Sequence, residues 1–153
     1  IRDIGVTGVQ TCALPISCYR SMDFYILLSS KDSQLLYPEN SGNDFRVQLP
    51  QELNLSGYWE VAVCDIYIDQ AEGQKSQRLL VCCDVVDYSI VGDSLRQILR
   101  RVSPSDKHFA REQFVRLVQN PVRHIHIFIL DPEGKPTNIR YCDVTLHFRA
   151  SPL

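Results

Sequence analysis

The chain has 153 residues, and its 16 lysines and arginines against 18 aspartates and glutamates give a formal net charge of −2. This length suits one domain with one core that folds without disulfides. No basic run exceeds Arg100-Arg101, which disfavours nucleic acid as the main partner. No segment approaches the roughly 20 apolar residues of a membrane-spanning helix, so a membrane is not expected as a partner either.

Residues 1–21 differ from the rest of the chain, because they show no strand or helix periodicity and no apolar segment typical of a secretion signal. The run VTGVQTCALPI at 6–16 resembles the translation of a sequencing adapter, and Met22 is the only methionine. These observations predict a non-native or disordered leader over 1–21 and a single domain over 22–153. The alternative interpretation of the leader is a genuine N-terminal arm.

Four apolar runs in the first part of the domain predict strands over 23–29, 44–49, 58–68 and 78–86. The first run is apolar almost throughout, which predicts burial of both its faces, and Pro50 is expected to end the second. In the third run, one face would carry Trp59, Val61 and Val63, and the other Tyr58, Ala62, Cys64, Ile66 and Ile68. The polar segments between the runs are predicted to be loops.

Two later segments leave the choice between helix and strand open. Over 93–102, Leu95, Ile98, Leu99 and Val102 recur at helical spacing, which predicts a short amphipathic helix, with an irregular strand as the alternative. Over 112–118 the periodicity fits either structure. The following Pro121 and the surrounding strands favour a strand there.

The clearest local pattern lies over 121–149. Residues 122–130 (VRHIHIFIL) and 139–149 (IRYCDVTLHFR) each alternate, and the DPEGKP segment between them cannot continue a strand. This pattern predicts one β-hairpin, with Ile125, Ile127 and Ile129 facing the core.

The order of these elements predicts the fold class. Strands do not alternate with helices along the chain, so the fold is expected to be all-β. We predict an antiparallel two-sheet sandwich, jelly-roll-like, with about seven or eight strands and at most one short helix.

The cysteines bear on compartment and on chemistry. Cys64, Cys82, Cys83 and Cys142 all lie in predicted strands among apolar neighbours, which is typical of free thiols buried as small hydrophobic side chains. With no secretion signal, disulfides are not expected, and the protein is predicted not to be secreted. A catalytic thiol needs an exposed, electropositive setting, which none of these positions offers, so no catalytic residue is predicted.

Three histidines form the pattern that most resembles a metal site. His124 and His126 form an H-x-H motif on one strand, and His147 lies on the partner strand of the predicted hairpin, as in metalloenzymes of the cupin type. Glu133 is the only glutamate that follows the motif, and it belongs to the turn, out of reach of a site in the sheet. We therefore predict no metal and no other cofactor, with His124, His126 and His147 as weak candidates.

Several blocks of residues resemble a family of animal proteins associated with Maverick/Polinton elements and adintovirus-like viruses. The blocks are FYILLSS at 24–30, FRVQLP at 45–50, LNLSGYWEVAV at 53–63, VCCDVV at 81–86, IVGDS at 90–94, IHIFILDPEG at 125–134 and VTLHFR at 144–149. They extend over nearly all of residues 22–149. The family-motif positions within them are Trp59, Glu60, Gly92, Asp93, Asp131, Gly134, His147 and Phe148.

The resemblance implies a capsid-type β-sandwich, and a penton-like or minor structural protein of a virus or of a virus-derived transposable element. It also implies that the chain is not an enzyme and that its partners are copies of itself and other capsid-type subunits. A homo-oligomer located in the virion or inside the cell is expected. Two alternatives stay open: a domesticated β-sandwich module that binds other proteins, and a cupin-like metalloenzyme using His124, His126 and His147.

Overall fold

The computed structural model describes residues 23–70 and 78–150. They form ten strands: β1 Asp23–Ser29, β2 Asp44–Leu53, β3 Trp59–Gln70, β4 Leu79–Cys83, β5 Ser89–Val91, β6 Ser94–Arg96, β7 Ile98–Val102, β8 Val115–Arg116, β9 Val122–Leu130 and β10 Ile139–Ala150. Within these two ranges no helix is long and apolar enough to cross a bilayer. The predicted leader over 1–21 and the predicted start at Met22 lie outside the described residues.

Eight of the ten strands form two four-stranded sheets that enclose one core. Sheet 1 has the order β1-β10-β3-β8, and sheet 2 has the order β2-β9-β4-β7. The remaining strands, β5 and β6, form a small separate hairpin in which Ile90 lies opposite Leu95. All the strand pairs are antiparallel.

The strand order is that of a chain folded back on itself once and then rolled. β1 pairs with β10, β2 with β9, β3 with β8 and β4 with β7, so the first half of the chain meets the second half in reverse order. The β5–β6 hairpin lies at the point of return, and the pairs of β10 with β3 and β4 with β9 complete the sheets. Eight strands arranged in this way form a jelly roll, which confirms the predicted fold class.

The core contains the inward-facing side chains of both sheets. β9 contributes Ile125, Ile127 and Ile129, which are fully buried as their alternation predicts. Phe45 of β2 and Phe148 of β10 are the largest of the fully buried side chains. Their burial stabilises the fold by about 25 cal/mol for each Å² of apolar surface removed from water.

The predicted hairpin over 121–149 is wrong. Its two strands form, but β9 pairs with β2 and β4 in sheet 2, whereas β10 pairs with β1 and β3 in sheet 1. The eight residues 131–138 between them carry the chain from one sheet to the other. Hairpin loops of two to five residues fix the partner strand, and a longer loop leaves it open. The alternation is the same in both cases, because each strand turns one face to the same core.

The predicted helix over 93–102 is also wrong, and its alternative, an irregular strand, is confirmed. The segment forms β6 and β7. Leu95 is 65% exposed whereas Leu99 and Val102 are buried, so these residues do not share one face. Over 112–118 a strand is confirmed, but β8 comprises only Val115–Arg116.

A β-bulge in β3 changes which of its side chains face the core. Two consecutive residues of β10 lie opposite Asp65 and Val63, so Cys64 is an extra residue with no partner in the register. The bulge reverses the alternation, and one core face now carries Trp59, Val61, Val63, Ile66 and Ile68. The predicted division of these residues between two faces is therefore wrong.

The first two strands differ from prediction because both lie at sheet edges. β2 continues through Pro50 to Leu53, and an edge strand tolerates proline because it needs no hydrogen bond on its free side. Only one face of β1 packs on the core, while Tyr25 and Leu27 are 55% and 73% exposed. The predicted burial of both faces of β1 is wrong.

Candidate functional site

The three histidines considered as metal ligands do not meet. His124 and His126 lie on the outward face of sheet 2, because Ile125 and Ile127 occupy the inward face of β9. His147 lies on the outward face of sheet 1, on β10. The core separates these two faces, and packed sheets are about 10 Å apart. The hypothesis of one metal site built from the three histidines is therefore wrong.

His147 is instead the centre of a cluster on the outward face of sheet 1. β8 pairs with β3, and the N–H of Leu117, the residue after β8, donates to the carbonyl of Trp59 at 2.9 Å. Just before β8 the chain crosses the outward face of β3, on which Ala62 is fully buried and lies opposite His147. It thereby brings Glu112 into contact with His147 on the next strand of the sheet.

Both ring nitrogens of His147 contact carboxylates. Nδ1 lies 2.8 Å from Glu112 Oε2, and Nε2 lies 2.8 Å from Asp23 Oδ2. The ring also stacks on Tyr25 and meets the edge of Phe114, with ring centres 4.5 and 5.2 Å away. An ionised carboxylate only accepts hydrogen bonds, so each of these contacts is a hydrogen bond when the ring nitrogen concerned is the donor.

Arg149 extends the His147 cluster to β3. Its guanidinium lies 3.5 Å from the centre of the Phe114 ring, and its Nε donates to Glu60 Oε1 at 2.7 Å. The cluster therefore joins β1, β10, β3 and the segment before β8 through polar and cation–π contacts. Through these contacts the cluster holds the four structural elements in position.

The four described cysteines are free and buried, which confirms the prediction for these positions. Burial raises the pKa of Cys82 and of Cys142 to about 12. Burial, followed by the negative charges of Asp65 and Glu112, raises the pKa of Cys64. A thiol with a raised pKa stays protonated at neutral pH, and the protonated form is a poor nucleophile.

The other histidines also form separate contacts. His126 Nε2 lies 2.6 Å from Asp44 Oδ1, and His108 Nδ1 lies 2.6 Å from Asp65 Oδ1. Nδ1 of His124 is buried and has no hydrogen-bond partner among the described residues. His108 and His126 thus each pair with one carboxylate, and the histidines do not converge on one point.

Two of the family-motif residues are core anchors. Trp59 is almost fully buried, and its Nε1 donates to the carbonyl of Ser56 at 3.0 Å. Phe148 stacks on Phe24 of β1, with ring centres 5.0 Å apart. These contacts attach β1 and the start of β3 to the core, and they involve no ligand-binding group.

Four of the other motif residues, Gly92, Asp93, Asp131 and Gly134, lie in connections between strands, whereas Glu60 and His147 lie in β3 and β10. Gly92 and Asp93 connect β5 to β6, and Gly134 lies in the β9–β10 connection. The φ angles of the two glycines are +63° and +86°, in the left-handed region that favours glycine. The carboxylate of Asp131 accepts a hydrogen bond from the N–H of Lys135 at 2.9 Å and so closes the second turn.

Exposed large apolar side chains concentrate in two places. The first is β1 with the connection that follows it, and the second is the β5–β6 hairpin with the residue before it. The residues concerned are Tyr25, Leu27, Leu35 and Leu36 in the first place, and Tyr88, Ile90 and Leu95 in the second. The sequence pattern does not single them out, because alternation shows which residues share a face but not which strands lie at an edge.

The free edges of β1 and β2 differ. Asn40 donates to the carbonyl of Arg46 and accepts from its N–H, and Ser33 Oγ accepts from the N–H of Gln48. These bonds occupy the free edge of β2. β1 has β10 on one side and no strand on the other within the described ranges. An open strand edge beside exposed apolar side chains is a place where another chain can add.

Among the described residues, no group of three or more His, Cys, Asp or Glu side chains could hold a metal ion. No protein-family model matches the chain, and neither a curated protein nor a solved structure matches it significantly. The open edge of β1 and the exposed apolar side chains are the described features that bear most directly on function.

Proposed function

We propose that this chain is a structural assembly protein, a penton-like or minor capsid subunit of a virus or of a virus-derived transposable element. It contacts copies of itself and other capsid-type subunits, in the virion or inside the cell. Its mechanism is the burial of strand-edge and apolar surface, with no enzymatic step.

The exposed face of β1 carries this proposal. Tyr25 and Leu27 project from an open edge strand, and Leu35 and Leu36 add apolar surface in the connection that follows. Contiguous exposed apolar surface is typical of regions that a partner covers. Jelly rolls are among the folds of viral capsid domains, which agrees with the sequence blocks that resemble a capsid-like family.

One observation favours a second candidate, a domesticated β-sandwich module that binds other proteins. Ile90 and Leu95 lie directly opposite each other in the β5–β6 hairpin, and both are exposed. A projecting hairpin with an apolar pair suits insertion into the groove of a different protein. This candidate predicts a stable monomer, whereas the assembly protein predicts an oligomer.

Size-exclusion chromatography with light scattering on the full chain separates the two candidates. The assembly protein gives a mass above the 17.5 kDa of one chain, rising with concentration. Leu27→Ser shifts the distribution toward monomer, whereas Leu95→Ser, the matched control, leaves it unchanged. Neither substitution removes a core contact, so both variants stay folded. A wild-type monomer at every concentration would contradict the proposal and favour the binding module.

A further inference from the structure

The sandwich has two lateral sides, each made of one edge from each sheet. β7 and β8 form one side, and the connection between them packs against β7, because Arg100 of β7 stacks on Phe109 at 3.9 Å and donates to the carbonyl of Arg111 at 2.8 Å. β1 is the other edge strand of sheet 1 and β2 the other edge strand of sheet 2. Together with the connection between them, they form the second lateral side. We call residues 23–53 the acidic side and residues 98–118 the basic side.

The acidic side has five carboxylates and two cations, Lys31 and Arg46. All five carboxylates are exposed: Asp23, Asp32, Glu39, Asp44 and Glu52. Asp23 and Asp44 contact histidines and Glu52 contacts Arg123. Asp32 and Glu39 form no salt bridge with another described residue. This side therefore presents an excess of negative charge beside the exposed apolar residues of β1.

The basic side has five cations and two carboxylates. The cations are Arg100, Arg101, Lys107, Arg111 and Arg116, and none of them forms a salt bridge within the described part of the chain. Three lie over aromatic rings: Arg100 over Phe109 at 3.9 Å, Lys107 over Tyr67 at 4.4 Å and Arg116 over Tyr58 at 4.9 Å. An aromatic ring orients a cation without neutralising its charge, so this side is prepared for an anionic partner.

We infer that the basic side of one copy of this chain binds the acidic side of the next copy, in a head-to-tail contact. The inference rests on the proposed self-assembly and names the surfaces that carry it. Opposite charges on the two sides steer the copies together and fix their orientation. The exposed apolar side chains of β1 then lose contact with water at the centre of the contact.

The separation of charge disfavours a two-fold contact. An isologous contact joins the same patch of both copies, so a two-fold contact through either side alone would place acidic side on acidic side or basic side on basic side. Head-to-tail contacts satisfy both sides of every copy, and they close into a ring when the rotation between neighbours permits.

The aromatic residues of the basic side disfavour nucleic acid as its partner. Single-stranded nucleic acid binds through bases stacked on free aromatic rings. Here Phe109 is buried, and Arg116 and Lys107 each lie over one face of the Tyr58 and Tyr67 rings. The cations remain available, but the aromatic surface on which bases could stack is reduced.

Sedimentation velocity on the full chain tests the contact with two charge-reversal variants. Arg101→Glu/Arg111→Glu reverses exposed charges on the basic side, and Glu39→Lys/Glu52→Lys does so on the acidic side. Each variant alone raises the dissociation constant for self-assembly at least about tenfold, because like charges then face each other. An equimolar mixture restores association between the two variants, since each reversed side meets a complementary side of the other variant. Lys135→Glu, exposed in the β9–β10 connection, is the control and has no effect.

A salt titration tests the same contact in the wild type without a substitution. Increasing ionic strength weakens assembly if charge drives the contact. If salt does not weaken wild-type assembly and neither charge reversal weakens assembly of its variant, the head-to-tail contact is wrong while self-assembly stands. A mixture that stays dissociated leads to the same conclusion. A monomeric wild type rejects both the contact and the proposed function. Saturable binding of a DNA duplex to the wild type, lost in Arg101→Glu/Arg111→Glu, would assign the basic side to nucleic acid and overturn the inference.

Discussion

The acidic side and the basic side are both pairs of sheet edges, yet their strands are protected to different degrees. On the basic side, β8 is only two residues long and β7 carries Arg100 and Arg101. Short edge strands and charged edge side chains both prevent pairing with another chain. On the acidic side, β1 presents seven residues with Tyr25 and Leu27 exposed and no covering strand among the described residues.

Under the proposed self-assembly, the two sides therefore have different roles in contact between chains. The core gains nothing from an exposed Leu27, because the inward face of β1 already supplies the packing. An edge that is long, apolar and open is a liability for an isolated monomer. It is useful when a second chain covers it, so the side that contains β1 is where contact is expected to begin.

The largest effect is expected where β1 is attached to the rest of the fold. Phe148 is fully buried and stacks on Phe24 of β1, with an interplanar angle of 4°. Phe148→Ala leaves a cavity and lowers the free energy of unfolding by about 3–5 kcal/mol, measured by urea denaturation. Hydrogen exchange of the β1 amides accelerates, because the substitution destabilises the acidic side selectively. Phe128→Ala, on the outward face of sheet 2, is the control and costs less. Equal losses in both variants would contradict this account of β1.

A smaller effect is expected at the link between the two sides. His147 contacts Asp23 of the acidic side and Glu112 of the basic side. His147→Ala leaves both carboxylates without this partner and lowers the free energy of unfolding by about 2 kcal/mol. His147→Gln retains one donor group and loses less. Urea denaturation compares the three proteins, and equal stability of the alanine variant and the wild type would show that the cluster does not hold the sides together.

The smallest effect concerns the order in which the two sides open. The carbonyl of Cys142 accepts a hydrogen bond from the N–H of Ser30, next to β1. The carbonyl of Cys64 accepts one from the N–H of Phe109, in the connection between β7 and β8. β1 pairs along seven residues and β8 along two, so the β8 side opens at lower denaturant. Alkylation at increasing urea, mapped by mass spectrometry, is expected to label Cys64 before Cys142. The reverse order would contradict the comparison.

The same thiols predict the dependence of stability on alkaline pH. Burial raises the pKa of Cys142 from 9.0 to about 12, and burial also raises the pKa of Cys64. Above about pH 9 the unfolded chain releases these protons while the folded chain keeps them. The unfolded state then binds fewer protons, so the free energy of unfolding falls as the pH rises from 9 toward 12. Urea denaturation at several pH values measures the slope, and a flat profile would show that the thiols are accessible in the folded state.

The sequence was sufficient to predict the fold class and much of the core. Strict alternation identified Ile125, Ile127 and Ile129 as core residues, because a strand at a core turns every second side chain inward. The partners of each strand could not be predicted from the sequence, since a hairpin and a crossing between sheets show the same alternation. The bulge at Cys64 was equally hidden, because one extra residue in an apolar run leaves no mark in the pattern.

The candidate site was less predictable than the core. His147 could be selected from the sequence because histidine is a common metal ligand. Its partner Glu112 could not, because it lies 35 residues away in a segment whose path depends on the assembled sheet. The exposure of Tyr25 and Leu27 depends on β1 being an edge strand, and edge position is a property of strand order. The opposite charges of the two sides likewise become visible only when β7 and β8 are seen to lie together.

Native mass spectrometry of the full chain tests the central claim, self-assembly through the lateral sides, most directly. A closed head-to-tail ring contains a fixed number of chains, and that number is greater than two. We therefore expect one dominant species whose mass is that multiple of the 17.5 kDa chain. This species dissociates as the ionic strength of the volatile buffer increases. Monomers alone at every concentration would contradict the claim.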